Sequence, residues 1–270
     1  MTTTTTATRV HAGHPRERSL LPTAFDACDA RRLALALQRA DRAARADVCD
    51  LLPAVGPFAE ATLRRSCTYA HDALLLFPTT VAAALEHFSV RGLDPVEPVA
   101  SVLVRRRLRA RYGLAHDACD VSLTHLRTPS PAAGRHLDVF LFPITAPAVC
   151  AEIVDREREQ RFEDHVALEV ERPDEPTLER LMTLLQDDAG LVFEGGGHNP
   201  HEGWRGSTVM YFLGETGSRR AGDWRQRRVE LCCAGDLSAM LDRHSVDDRA
   251  VADAYERWDD VRRQPDACAV

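Results

Sequence analysis

The chain has 270 residues and a mass of 29.9 kDa, enough to bury one large core or two small ones. Apolar residues make up 44% and charged residues 28%, the balance of a soluble globular protein. The net charge of -7 argues against a general nucleic-acid binder, which favours a basic surface, and no apolar run reaches the ~20 residues of a membrane span.

The first residues, MTTTTTATRVHAGHPRERS, have no apolar core for a secretory signal, so residues 1–20 are expected to be a disordered tail. The eight cysteines form no CxxC pair and read as free thiols of a reducing cytoplasm. Every basic residue is arginine, which codon usage in a GC-rich genome explains. Residues 21–67 are expected to be a helical extension. Leu33, Leu35 and Leu37, then Ala40, Ala43 and Ala44, carry helical spacing, and a second short helix is expected over 58–65.

The pattern then changes. Residues 71–77 are a short apolar run closed by Pro78 and read as a strand; Thr79 and Thr80 can cap a helix over 81–88. Residues 99–111 read as a β-rich segment on which Arg105, Arg107, Arg109 and Arg111 alternate along one face. A further strand over 121–126, a turn at 129–134 and a last strand over 136–142 complete this half. The second half follows the same order. A strand over 165–170 leads to an amphipathic helix over 177–186 and a strand over 191–194. A Gly-rich loop over 195–203 comes next, then strands over 207–213 and 228–233. A helical tail is expected over 251–261.

His71 and His136 are 65 residues apart, as are His165 and Glu230. The first strands of the halves also share a local pattern, His71-x-Ala-Leu and His165-x-Ala-Leu. Together these features predict a tandem duplication. Strand alternation puts His165, Ala167 and Glu169 on one face and Val166, Leu168 and Val170 on the face the helix covers. The same parity turns His71, His136 and Glu230 toward one cavity. A carboxylate in the apolar strand of Glu230 needs a partner, either a metal or a neighbouring Arg227 or Arg228.

These modules, the strand His-Val-Ala-Leu-Glu-Val and the closing Arg-Arg-Val-Glu230-Leu resemble the vicinal-oxygen-chelate superfamily over residues 68–236. The resemblance implies an α+β fold of tandem βαβββ modules, 68–145 and 146–240, forming an open metal-holding barrel; outside it, 241–270 is expected to be a C-terminal helical tail. It implies His71, His165 and Glu230 as a two-His-one-carboxylate triad for Fe(II), with Mn, Ni, Co or Zn as other divalent ions for such a site. The implied activity is a dioxygenase acting on a 2-oxo acid or catechol-like substrate that chelates through vicinal oxygens.

A glyoxalase-type isomerase or lyase would recruit a fourth donor at His136, where that pattern usually carries a carboxylate; Asp138, two residues on, is the substitute if the register is shifted. A metal-free small-molecule binding protein is the third alternative. Glu169 and His136 are the candidates for moving protons. His198, His201 and Arg109 are the candidates for contacting substrate. The expected partners are a small molecule and a second copy of the chain, with no nucleic acid and no membrane.

Overall fold

The computed structural model describes residues 24–127, 136–199, 205–214 and 226–260. The expected N-terminal tail, the turn at 129–134 and His201 lie outside them. Helix α1 (Ala27–Ala43) starts where the Asp26 side chain accepts a hydrogen bond from the Asp29 amide. A short 3-10 turn (Val48–Leu51) and α2 (Pro57–Ser66) follow. Then come β1 (Cys67–Leu76) and α3 (Val81–Val90), capped by Thr80 as expected. Two minimal strands, β2 (Asp94–Pro95) and β3 (Val99–Ala100), precede α4 (Val102–Tyr112).

Helix α4 corrects the sequence reading, which made this arginine-rich segment a strand. Val104 and Leu108 are both buried, four residues apart, and Arg107 and Arg111 repeat that interval one step round the helix. Period 3.6 therefore satisfies the apolar and the charged residues at once, where period 2 would put all four arginines on one face. Gly113 ends the helix in the left-handed region at φ 65°.

Strands β4 (Ser122–Arg127) and β5 (His136–Leu141) complete the first half. Helix α5 (Ala151–Gln160), which the sequence reading missed, leads to β6 (His165–Val170). Helix α6 (Glu175–Thr183) runs into a π turn (Leu184–Asp188). Strand β7 (Val192–Asn199) continues through the three glycines, so residues 195–199 of the expected Gly-rich loop are strand, and 200–203 lie outside the described residues. Then follow β8 (Ser207–Leu213), β9 (Arg228–Ala234), α7 (Ser238–Leu241) and α8 (Asp248–Asp260).

All the strands belong to one nine-stranded sheet, ordered β2-β4-β5-β1-β6-β9-β8-β7 with β3 also on β4. The expected barrel is thus an open sheet among the described residues. Its centre is the antiparallel pair β1 and β6. Each centre strand has a parallel neighbour, β5 for β1 and β9 for β6; reading outward, the second half runs β6, β9, β8, β7 and the first runs β1, β5, β4, β2, with β3 a further short strand on β4.

The outer face carries Leu74, Leu76, Val139, Val166, Leu168, Met210 and Leu231, packed under α1, α3, α2 and α6. The inner face carries Ala73, Leu75, Phe140 and Phe142 under Val104 and Leu108 of α4 and Val154 of α5. Phe162, Leu213, Ala254 and Trp258 form a further cluster under α8. Helix α1 is pinned across the halves: buried Asp29 accepts from Arg32, Arg158 and the Phe77 amide.

Candidate metal centre

A bulge in β1 between Tyr69 and His71 resets its alternation. Tyr69 consequently joins the outer core while His71 turns to the inner face. Two adjacent rows of cross-strand partners then cross that face. The first runs Tyr211, Glu230, Ala167, His71. The second runs His165, Ala73, Asp138, His125. The His-x-Ala pattern of one centre strand thus pairs with its copy on the other: His71 lies opposite Ala167, and Ala73 opposite His165. Both alanines are fully buried, and their small side chains leave room between the larger residues of each row.

That room is where His71, His165 and Glu230 converge. All three are buried, and one donor atom from each lies within 4.8 Å of the others. His165 Nε2 is 3.0 Å from Glu230 Oε2, and its Nδ1 is 2.9 Å from the Glu163 carbonyl. The second contact fixes the ring and leaves Nε2 as the atom aimed into the cluster. Burial alone would raise the Glu230 carboxyl. The hydrogen bond and charge of His165, the charge of His71 and the Tyr211 hydroxyl together hold it below the ordinary carboxylate value.

Tyr211 donates its hydroxyl to Glu230, and burial beside that carboxylate pushes the phenol well above its usual range. The Arg107 guanidinium sits 3.9 Å from the Tyr211 ring centroid, a cation–π contact. Arg107 also reaches Glu163 at 3.2 Å and Glu194 at 3.3 Å. Arg228 forks onto Glu194 at 2.8 and 2.9 Å, so one of the two arginines considered as a partner for Glu230 is committed to another carboxylate. Arg111 joins Glu163 to Glu157, and Tyr255 donates to Glu194. Three arginines thus meet three glutamates in a buried network. Burial raises Glu157, whereas Glu194 falls to about 2 because Arg107 and Arg228 outweigh its desolvation.

A cavity of about 830 Å³ adjoins the centre, lined among others by Arg107, Phe162, Glu194, Tyr211, His244 and Tyr255. Tyr211 is the wall it shares with the cluster of His71, His165 and Glu230; none of those three lines it.

The other sequence candidates are placed as follows. His136 pairs through its backbone with His71, and its side chain lies outside the described residues. The register puts Asp138, rather than His136, opposite Ala73, in the position that Glu230 takes opposite Ala167. Glu169 is exposed, at the end of β6 opposite Thr68 and Cys232. His198 is fixed on β7 opposite Thr208, with Nδ1 3.4 Å from the threonine hydroxyl. Arg109 is half-buried on α4 and is not among the residues lining the cavity, whereas Arg106, Arg107 and Arg111 are. The sequence reading missed His125, Tyr211 and Glu163. A readable signal existed for His125: the hairpin register of β4 and β5 sets it directly opposite Asp138.

Neither a family model nor a curated protein matches this chain. Among solved structures it is similar to methylmalonyl-CoA epimerase from Mycobacterium tuberculosis, at 12% identity and a TM-score of 0.34, over 63% of this chain and 90% of that one. It is similar to a triple mutant of 4-hydroxymandelate synthase from Streptomyces coelicolor, at 11% identity and a TM-score of 0.40, over 71% of this chain and 55% of that one. A variant of Streptomyces coelicolor methylmalonyl-CoA epimerase, solved in complex with 2-nitronate-propionyl-CoA, aligns at 12% identity and a TM-score of 0.33, over 62% of this chain and 97% of that one. The epimerase and the synthase are vicinal-oxygen-chelate superfamily members. Among the described residues, no helix is long and apolar enough to cross a membrane.

Proposed function

We propose that this chain is a mononuclear metal enzyme whose ion is held by His71, His165 and Glu230, with Fe(II)-dependent oxygenation of a small, oxygen-chelating substrate as its activity. The observation that carries this reading is the convergence of three buried donor groups, two imidazoles and a carboxylate, from three different strands. The donor set fits an ion: at metal–ligand bonds of ~2.1 Å, neighbouring donors stand about 3 Å apart, the separation of His165 Nε2 and Glu230 Oε2. Three protein donors leave positions for a 2-oxo acid or catechol, and an ion there supplies Lewis acidity and a place for oxygen to bind.

The protein's own groups do the rest. Glu163 holds His165 through its carbonyl, Tyr211 holds Glu230, and Arg107 holds Tyr211. The cavity beyond Tyr211 offers aromatic and arginine side chains to the bulk of a substrate. His136, whose backbone pairs with His71, and Glu169 are the candidates for moving a proton; His198, His201 and Arg109 are the candidates for contacting substrate.

The site belongs, on this proposal, to a tandem βαβββ duplication with modules 68–145 and 146–240. The parallel pairing of the first and last strand in each half and the reciprocal pairing of the His-x-Ala pattern support it. A cytoplasmic setting fits the seven free cysteines among the described residues.

One observation favours a second reading. Asp138 stands where symmetry with Glu230 would place a fourth donor, as a metal-dependent isomerase or lyase would use. Purified protein should carry about one equivalent of transition metal, and His165→Ala and Glu230→Ala should each abolish it. Oxygen uptake with 2-oxo acids and catechols separates the readings. Turnover that persists without oxygen and tolerates Ni(II) or Co(II) supports the isomerase; protein that binds no metal after anaerobic Fe(II) addition refutes both.

A further inference from the structure

We infer that Asp138, clamped by His125, is the positioning partner of His71 and stays outside the coordination sphere; this rests on the metal reading above. Exchanging the two halves of the sheet maps His71 onto His165, Ala73 onto Ala167, Asp138 onto Glu230 and His125 onto Tyr211. Chemistry differs at the last two pairs. Glu230 reaches His165 at 3.0 Å while Tyr211 donates to it. Asp138 is one methylene shorter, and its Oδ1 is engaged by His125 Nδ1 at 2.6 Å. Its Oδ2 lies 3.5 Å from His71 Nε2, and Asp138 falls outside the set of donor atoms within 4.8 Å.

A carboxylate drawn toward the β4 side by a short, charge-assisted contact is suited to steering the neighbouring imidazole. Asp138 is buried and His125 is half-buried at the edge of the inner face, so the pair forms a bracket between the His71 ring and β4. The outcome is an asymmetric centre. One half gives a histidine and a carboxylate to the ion, and the other gives a histidine whose carboxylate neighbour orients it.

The test uses the full chain with Co(II) as the probe. Chelator competition gives affinity, and visible absorption of the saturated protein reports the number and geometry of ligands. Asp138→Asn and His125→Phe are each expected to weaken Co(II) binding roughly 10- to 100-fold while leaving the saturated spectrum unchanged. Because His125 acts through Asp138, the double variant should bind no more weakly than Asp138→Asn alone. A changed spectrum in Asp138→Asn makes the carboxylate a ligand and overturns the inference. So do additive losses in the double variant, or unaltered affinity in both single variants with circular dichroism intact. Unsubstituted protein that binds no Co(II) overturns the metal reading along with this one. Binding that His165→Ala abolishes and the Asp138 and His125 variants leave unchanged overturns this one alone.

Discussion

Glu194 tests whether the buried charge network stabilises the folded chain. Its carboxylate accepts both arms of Arg228, the Tyr255 hydroxyl and a contact from Arg107, and it sits at about 2 instead of 4.5. That depression corresponds to about 3 kcal/mol in favour of the charged form, at ~1.4 kcal/mol per tenfold change. Removing one member of a buried ion pair independently costs about 3–5 kcal/mol, because the partner is left uncompensated. Glu194→Gln, which keeps the shape, should therefore lose about 3 kcal/mol of unfolding free energy at neutral pH. The sign with pH follows from the direction of the shift. Glu194 contributes fully above 4.5, and its contribution is lost as pH falls toward 2. Glu157 works the other way: burial raises it, so it takes up a proton more readily in the folded chain, and acid costs less there. The informative quantity is consequently the gap between unsubstituted and Glu194→Gln protein in urea titrations at several pH values. It should be widest at neutral pH and narrow through the acid range. A gap below about 1 kcal/mol at pH 7, or one that does not change with pH, refutes the reasoning.

Two further substitutions probe the sheet itself. Ala167→Leu fills the room between Glu230 and His71; it should abolish binding of Co(II) while costing about 1–3 kcal/mol of stability, and unchanged metal affinity would show that the alanine rows do not make the site. At Gly196 an added Cβ would come 2.3 Å from the Val209 carbonyl oxygen on the neighbouring strand and 3.1 Å from Leu241. Gly196→Ala should therefore cost at least about 2 kcal/mol in thermal or urea unfolding, and a change within about 0.5 kcal/mol would contradict the placement of β7.

Much of the site was legible in the sequence because strand parity is a strict rule. Alternation on β6 set His165 against Val166 and Leu168, and the outer core indeed takes the latter two. Parity failed to announce its own exception on β1, where the bulge lets Tyr69 and His71, two residues apart, face opposite ways. The arginine-rich segment was misread because Arg105, Arg107, Arg109 and Arg111, at every second position, satisfy a strand pattern locally. Its helical period emerges only when Glu157 and Glu163, distant in sequence, supply carboxylates for Arg107 and Arg111. Helix α5 was missed for a related reason. Its apolar positions are few, and much of its role is to carry Glu157 and Arg158 into ion pairs with α4 and α1.

The two 65-residue spacings illustrate how far counting can go. They single out His71, His165 and Glu230, whose donor atoms converge, yet equal spacing is not equal register. Glu230 pairs with the alanine two residues after His165, whereas His136 pairs with His71 itself. The residue that pairs with the alanine after His71 is Asp138. Connections between strands can lengthen by two residues without disturbing alternation, since side chains return to the same face every second position. A shift of two therefore preserves which face a residue lies on and changes which neighbour it meets. That is why parity alone admitted both His136 and Asp138 to the inner face, and why only the pairing of β4, β5 and β1 assigns Asp138 to His125 and His71.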